Sequence, residues 1–179
     1  FGMGSTHWGR FPSRAECEVT INADGSVEAR TGTQDIGTGQ RTAMAVCAAD
    51  RLGIPLHLVS VRIGSSSLPY GPASGGSVTI HNTAPAMIMA ADDARAQLFA
   101  KLAERIGGER HEFTIHQGQM LDHNEPMMTW AQACGALPNP TRTGRGHRSD
   151  RLPRAPRHGH RHRRQLRHLP ASPHPRSAR

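Results

Sequence analysis

Two glycine-rich segments contain the residues of this sequence that are best suited to bind an anion. The first reads T-G-T-Q-D-I-G-T-G over residues 31–39, and the second reads S-G-G-S-V-T over residues 74–79. Each segment leads into a stretch with helical periodicity. Glycines leave backbone N–H groups uncovered, and the N-terminus of a helix favours negative charge. The two segments therefore predict a site for phosphate or another oxygen-rich anion.

Common nucleotide-binding motifs do not account for the first segment. Gly32 and Gly37 have the spacing of a P-loop, but Thr38 stands where that motif requires lysine. The G-x-G-x-x-G pattern fails as well, because Thr42 occupies its last glycine position. Asp35 would repel a phosphate, so we expect an anion to meet the backbone of residues 37–39.

Each segment also has a purely structural interpretation. Residues 31–39 are typical of a tight strand-to-helix turn, and Ser77 or Thr79 would serve as a helix N-cap. A generic α+β domain whose loops are only turns therefore stays an alternative. Two glycine-rich helix starts within about 45 residues favour one shared anionic ligand.

Short strands and helices must position these segments. Alternating apolar residues at 17–21 and 26–31, on either side of an Asp24-Gly25 turn, predict a β-hairpin. Residues 40–52 have a helical pattern, and residues 58–63 alternate as a strand. Strand, loop, helix and strand in this order indicate a crossover unit.

A longer helix is predicted over residues 77–106, where apolar residues recur every three or four positions. Weaker patterns indicate a strand at 112–116 and a helix over 129–134. The low aromatic content, 4% of the residues, allows only a modest core. We therefore expect an α+β fold, in which a small mixed β-sheet packs with two main helices, followed by a disordered C-terminal tail.

Residues 138–179 differ in kind from the rest of the chain. The formal net charge is +8, and this segment holds 12 of the arginines but only one acidic residue, Asp150. It contains no Val, Ile, Met or aromatic residue, so it cannot bury enough apolar surface to offset its ordering entropy. We predict a domain at residues 1–137 and a disordered Arg/His/Pro-rich tail at residues 138–179.

Two hypotheses address this tail. Arg and His alternating with Pro, Gly and Ser are typical of a GC-rich coding sequence read in the wrong frame, which predicts a frameshift near codon 140. The rival is a non-enzymatic basic arm that binds nucleic acid or an acidic surface, although it lacks aromatic residues for base stacking. The four histidines between residues 158 and 168 make a poor metal site, because arginines interleave them.

Cys17, Cys47 and Cys134 lack the paired spacing of a disulfide framework or of a zinc or iron–sulfur site. No apolar run is long enough to predict a membrane span. No signal-peptide pattern opens the chain. Because the chain begins at Phe1 rather than Met, we expect the true N-terminus to lie upstream. The compartment, cytoplasmic or periplasmic, therefore stays open.

The glycine-rich segments belong to a longer ordered series of motifs. It comprises G-T-Q-D-I-G-T-G at 32–39, L-G-I-P at 52–55, V-S-V-R-I-G at 59–64 and P-A-S-G-G-S-V-T at 72–79. This series closely resembles the molybdopterin-binding region of large subunits in the xanthine dehydrogenase/aldehyde oxidase family, and above all the bacterial aldehyde oxidase and isoquinoline oxidoreductase β-subunit group. The resemblance covers about residues 1–134, so the chain looks like a fragment of such a subunit.

The resemblance implies that both segments hold a molybdenum pterin, molybdopterin, which bacteria usually carry as molybdopterin cytosine dinucleotide. Gly37, Thr38 and Gly39 would approach the pterin. The second segment would contribute backbone and hydroxyl contacts through Ser74, Gly75, Gly76, Ser77 and Thr79. Several family members carry Gln where Thr38 stands, and Gln34 is a polar alternative for that contact.

The resemblance also implies a reaction: hydroxylation of an aldehyde or a nitrogen heterocycle with oxygen from water, assisted by a glutamate base. Electrons would leave through iron–sulfur clusters on a separate small subunit. No glutamate here has the family's glycine-rich context; the acids found elsewhere are Glu104, Glu109, Glu112 and Glu125. We therefore expect no catalytic residue in this chain, which would need the remainder of the large subunit and be inactive alone.

Overall fold

A computed structural model describes residues 2–9, 11–106, 113–136 and 142–148 of the chain. Within them the predicted α+β class is confirmed, and no helix is both long and apolar enough to cross a membrane. In chain order the elements are β1 Ala15–Ile21, β2 Val27–Thr31, α1 Gln40–Leu52, β3 Val59–Ile63, α2 Thr79–Ile106, β4 Phe113–His116, β5 Gln119–Asp122, β6 Glu125–Thr129, α3 Trp130–Gly135 and β7 Arg142–Arg148.

The main sheet has four strands in the order β3-β2-β1-β7 and is mixed, as predicted. Strand β1 runs antiparallel to both β2 and β7, whereas β2 and β3 are parallel. Parallel neighbouring strands need a crossover connection. Helix α1 is this connection between β2 and β3, which confirms the predicted crossover unit. The predicted hairpin is β1–β2, and Gly25 adopts a left-handed φ of 83° in its turn.

The core lies between the main sheet and the two main helices. Every second residue of β1 is buried, which is the period of a strand with one face covered. Helix α1 begins at Gln40 and ends at Leu52 as predicted, with Gly53 as its left-handed C-cap. Helix α2 begins at Thr79, two residues later than predicted. The reason is Ser77, whose φ of 59° lies outside the helical region.

Strand β7 corrects the prediction that the tail lacks structure from residue 138. All seven of its residues pair with β1, from Ala15 opposite Arg148 to Ile21 opposite Arg142. Its inward positions include Gly144 and Gly146, and both pack directly on the backbone of α2. Disorder was predicted because the segment lacks apolar side chains. In β7, however, glycine allows the backbones of the strand and the helix to approach each other closely. Residues 149–179 lie outside the described residues.

A second, three-stranded antiparallel sheet, β4-β5-β6, follows α2. The predicted strand at 112–116 corresponds to β4, whereas β5 and β6 were not predicted. The tight turn between them uses His123 and Asn124 at positive φ, which the sequence pattern does not reveal. Helix α3 begins after Thr129, which forms a reciprocal capping box with Gln132.

Candidate functional site

The two glycine-rich segments form two loops that lie side by side. We call residues 32–39, between β2 and α1, loop 1, and residues 64–78, between β3 and α2, loop 2. The Gly32 amide donates to the Pro69 carbonyl at 2.6 Å, and the Thr33 hydroxyl donates to the Pro72 carbonyl at 2.8 Å. Both glycine-rich helix starts therefore belong to one continuous surface.

Gln34 and Ser74, both predicted site residues, join the loops nearest this surface. The Ser74 amide donates to Gln34 Oε1 at 3.0 Å, and the Ser74 hydroxyl donates to the Gln34 carbonyl at 2.6 Å. The Gln34 carboxamide oxygen is thus occupied by a protein donor. This contact makes Gln34 a link between the loops in addition to a candidate for ligand contact.

Asp35 lies at the start of α1, beside the backbone of residues 37–39 that we expect an anion to meet. Its carboxylate accepts hydrogen bonds from the Gly37 and Arg41 amides, each at 3.0 Å. The Arg41 amide, together with those of Gly37, Gly39 and Thr38, lowers the pKa of Asp35 below its usual value. Loop 1 therefore supplies its own anion, although Gly37, Thr38 and Gly39 remain exposed to a ligand.

Loop 2 has no such carboxylate. Among the described residues, the backbone amides of Gly75, Gly76 and Ser77 have no protein acceptor. Each of these three residues is exposed. The Gly76 carbonyl accepts a hydrogen bond from the Trp8 indole at 3.0 Å. Uncovered amides before a helix are suited to anionic oxygens, so loop 2 offers donors that loop 1 does not.

The predicted site residues differ in how far they reach the surface. A Cβ added to Gly37, Gly39 or Gly75 would meet no atom within 4 Å, so these glycines face open space. Thr79 is only 6% exposed, and it lies beneath the surface at the first position of α2. The structure therefore brings the predicted residues into one region, with Thr79 as its buried member.

Sequence reasoning missed two residues of this region. Gln40 is completely buried at the first position of α1, where its side chain contacts α2. Trp8 lies against loop 2 although it precedes its partner in that loop, Gly76, by 68 residues. A polar residue on the inward face of a helix is a signal for Gln40, whereas nothing in the local sequence connects Trp8 with loop 2.

The cysteines and glutamates do not add a catalytic group to this region. Burial raises the pKa of Cys17 and of Cys134 to about 12, so both remain protonated thiols near neutral pH. Burial also raises the pKa of the half-buried Cys47, as expected for an inert thiol. No group of three or more His, Cys, Asp or Glu residues within the described ranges could hold a metal ion.

Of the four glutamates considered above, Glu109 and Glu112 lie outside the described residues. Glu104 is exposed and paired with Lys101 at 2.7 Å. It is 25 residues beyond Thr79 along α2, which corresponds to about 38 Å of helix from loop 2. Glu125 is exposed at the start of β6, in the second sheet.

A partly polar cavity of about 520 Å³ lies between β1, β7 and residues 67–69. Its charged groups neutralise one another: Glu18 pairs with Arg30 at 2.9 Å and with Arg145 at 3.3 Å. The Arg14 guanidinium, which hydrogen-bonds Glu16, holds the pKa of that carboxyl below its usual value. We therefore assign the candidate site to the joined loops and not to this cavity.

A pterin cofactor with anionic oxygens fits the joined loops in three respects. The glycines at positions 37, 39 and 75 leave room that a side chain would fill. The amides of residues 75–77 are free to donate. The loops are held together by four hydrogen bonds, so their surface is preorganised for a ligand.

The chain is similar to several known proteins. The family model described as the molybdopterin cofactor-binding domain matches residues 1–162. The chain is 41% identical over 63 residues to the aldehyde oxidoreductase molybdenum-binding subunit PaoC of Escherichia coli K12, covering 35% of this chain and 9% of that subunit. It is 37% identical over 115 residues to the carbon monoxide dehydrogenase large chain of Hydrogenophaga pseudoflava, covering 64% and 12%. The chain thus spans a small part of the relatives it matches.

Solved structures share the fold. CO dehydrogenase from Oligotropha carboxidovorans has a TM-score of 0.66 at 23% identity, over 75% of this chain and 18% of that chain. Quinoline 2-oxidoreductase from Pseudomonas putida 86 has a TM-score of 0.57 at 23% identity, over 76% and 19%. Together with the family model, these relatives confirm the resemblance predicted from residues 32–79 and the interpretation of the chain as a fragment.

Proposed function

Since this chain belongs to the molybdopterin cofactor-binding domain family, we propose that it is part of a molybdenum hydroxylase and that loops 1 and 2 bind its pterin cofactor. The observation that supports this proposal is the joining of the two loops through Gln34 and Ser74. The cofactor contacts that we propose are Gln34, Gly37, Thr38, Gly39, Ser74, Gly75, Gly76, Ser77 and Thr79.

The two loops have different roles in this proposal. The free amides of Gly75, Gly76 and Ser77 donate to anionic oxygens of the cofactor. Loop 1 carries its own carboxylate at the start of α1, so it contributes open backbone at Gly37 and Gly39 and the Thr38 hydroxyl. We propose molybdopterin cytosine dinucleotide as the form bound, with its phosphates nearer loop 2.

When bound, the cofactor supplies the molybdenum that hydroxylates an aldehyde or a nitrogen heterocycle with oxygen derived from water. This chain binds and orients the cofactor, while the remainder of a large subunit provides the base and the substrate pocket. An iron–sulfur small subunit would accept the electrons. We therefore expect the chain alone to lack hydroxylase activity, and turnover of an aldehyde by the purified chain would contradict this part of the proposal.

The cofactor proposal is tested by the metal and pterin content of the full chain. The chain is purified from a bacterial host that makes the molybdenum pterin cofactor, and molybdenum is measured by elemental mass spectrometry. Pterin is measured by its fluorescence after oxidation. We expect both to co-purify with the chain in equal amounts. Contents no higher than those of an unrelated protein purified in parallel would refute the proposal.

A further inference from the structure

A buried carboxamide connects the starts of the two main helices. Gln40, the first residue of α1, has no exposed surface. Its Nε2 donates to the Thr83 hydroxyl at 2.6 Å, and that hydroxyl donates to the Thr79 carbonyl at 2.9 Å. Thr79 is the first residue of α2. The two consecutive hydrogen bonds therefore connect the start of α1 to the start of α2.

The oxygen of this carboxamide has no hydrogen-bond partner in the part of the chain that the structure describes. Among the described residues, Gln40 Oε1 is buried and accepts no hydrogen bond. Reversing the carboxamide does not help. Oε1 would then face the Thr83 hydroxyl, whose single proton is already donated to Thr79, and Nε2 would take the position that has no partner. A buried acceptor without a donor destabilises a folded protein. An aliphatic side chain of similar size would avoid this penalty.

The position of Gln40 next to loop 1 shows what its buried side chain contributes to the candidate site. Gln40 directly follows Gly39 of loop 1, and Thr79 directly follows loop 2. The contact between Gln34 and Ser74 joins the loops at the surface, and the Gln40–Thr83–Thr79 chain joins the helix starts below it. Together with the Gly32–Pro69 and Thr33–Pro72 hydrogen bonds, these contacts attach the two loops both at the surface and below it. Attachment at both levels fixes the distance and the orientation between the two glycine-rich surfaces.

We propose that Gln40 is a positioning residue for the ligand held between loops 1 and 2, an inference that rests on the proposed function. Its half-satisfied carboxamide destabilises the unliganded chain but holds the loops in the arrangement that receives the cofactor. Rigid positioning before binding raises affinity, because less conformational freedom is lost on binding. Functional sites are the places where such local violations of packing rules persist.

The test separates stability from binding with the variant Gln40→Leu in the full chain. Leucine removes the unpaired acceptor, and the Thr83 hydroxyl still donates to Thr79. We therefore expect the unliganded variant to unfold at the wild-type temperature or above it. We also expect the molybdenum and pterin retained after purification from the cofactor-producing host to fall about tenfold, a difference of about 1.4 kcal/mol in binding free energy.

Substitutions at Thr83 test the same chain of hydrogen bonds from its other end. Thr83→Ser keeps the hydroxyl and should retain the cofactor, whereas Thr83→Val removes it and should lower retention as Gln40→Leu does. The double variant should be no worse than either single variant, because both break one connection. Gln119→Leu, at an exposed position on β5, is the control and should bind as the wild type does.

Each possible result of these experiments either supports the inference or overturns it. Wild-type retention by Gln40→Leu would overturn the inference but leave the proposed function standing, since the wild-type chain still binds. A loss of retention that only parallels a lower unfolding temperature would show a merely structural residue and would also overturn it. Absence of molybdenum and pterin from the wild-type chain would refute the proposed function, and the inference with it.

Discussion

Glycine has opposite roles in two regions of this molecule. At the interface of β7 and α2, a Cβ on Gly144 would overlap the Ala90 carbonyl, and a Cβ on Gly146 would overlap the Ala86 carbonyl. In loops 1 and 2, a Cβ on Gly37 or Gly75 would meet nothing within 4 Å. The first pair of glycines is needed for packing, whereas the second pair leaves space that no other part of the described chain fills. Gly37, at a φ of 94°, is also needed by the backbone of loop 1, whereas Gly75 is not.

The difference shows that a glycine has a functional meaning only once its surroundings are known. Where backbone packs against backbone, a larger residue must displace a helix or a strand. Where glycine faces open space at an accessible backbone, a larger residue obstructs only what comes from outside. Substitutions in the first region should therefore affect stability, and a substitution at Gly75, which has no left-handed φ, should affect ligand binding.

Gly146→Ala should have the largest effect on stability. The added methyl group would overlap the Ala86 carbonyl and lie 2.6 Å from the Ala90 amide, and neither backbone group can rotate away. We expect a loss of about 3 kcal/mol or more, the upper end of the range for overpacking. Chemical denaturation of the variant measures this loss. The control is Gly4→Ala, whose Cβ meets nothing within 4 Å; equal stability of the two variants would contradict the packing of β7 on α2.

Gly71→Ala extends the comparison into loop 2 itself. Unlike Gly75 in the same loop, Gly71 is tightly packed. A Cβ on Gly71 would overlap the Thr33 amide and lie 2.8 Å from the Thr33 Cα. We expect a loss of about 1–3 kcal/mol from forcing loops 1 and 2 apart. The retained cofactor should fall as well. A variant that is destabilised yet retains the cofactor fully would show that the joining of the loops is not required for binding.

The elements that the sequence predicts are those whose formation depends on the spacing of apolar and polar side chains. Alternation in β1 and the period of α1 identified both elements, and Gly53 marked the end of α1. Strand β7 was missed because its inward positions are glycines, whose contribution depends on a helix more than 50 residues earlier in the chain. The family model also matches residues as far as 162. The hypothesis of a changed reading frame near codon 140 stays a prediction, and it fails if neither other frame beyond that codon resembles the family.

The candidate site was predictable as a region but not in its hydrogen bonding. Spacing and composition identified the loops around Gly37 and Gly75, and the resemblance identified a cofactor. Asp35 was expected to repel an anion, whereas it satisfies the amides at the start of α1 itself. The buried carboxamide of Gln40 depends on Thr83, a contact between residues 43 positions apart that no local pattern encodes.

Asp35→Asn tests the carboxylate that distinguishes loop 1 from loop 2. The lowered pKa of Asp35 means that the ionised carboxylate stabilises the fold above its unfolded-state pKa, near 4. This contribution is lost as the pH falls through the lower folded-state pKa. We expect the variant to unfold a few degrees below the wild type at pH 7, with the difference disappearing in strong acid.

Thermal unfolding across a series of pH values measures this difference. Asp50→Asn changes the net charge equally at an exposed position of α1, and it serves as the control. A difference between wild type and Asp35→Asn that persists unchanged at pH 2 would show that the asparagine perturbs loop 1 for a reason other than charge.

Gly75→Ala should have the smallest effect on stability and isolates the second role of glycine. Gly75 has no left-handed φ and no neighbour near its Cβ position, so alanine fits without strain. We expect a change in the free energy of unfolding within about 0.5 kcal/mol, as for an exposed substitution. The methyl group would nevertheless stand beside the free amides of Gly76 and Ser77. The molybdenum and pterin content should therefore fall severalfold while Gly4→Ala retains both, and a Gly75→Ala chain with full cofactor content would place the ligand away from loop 2.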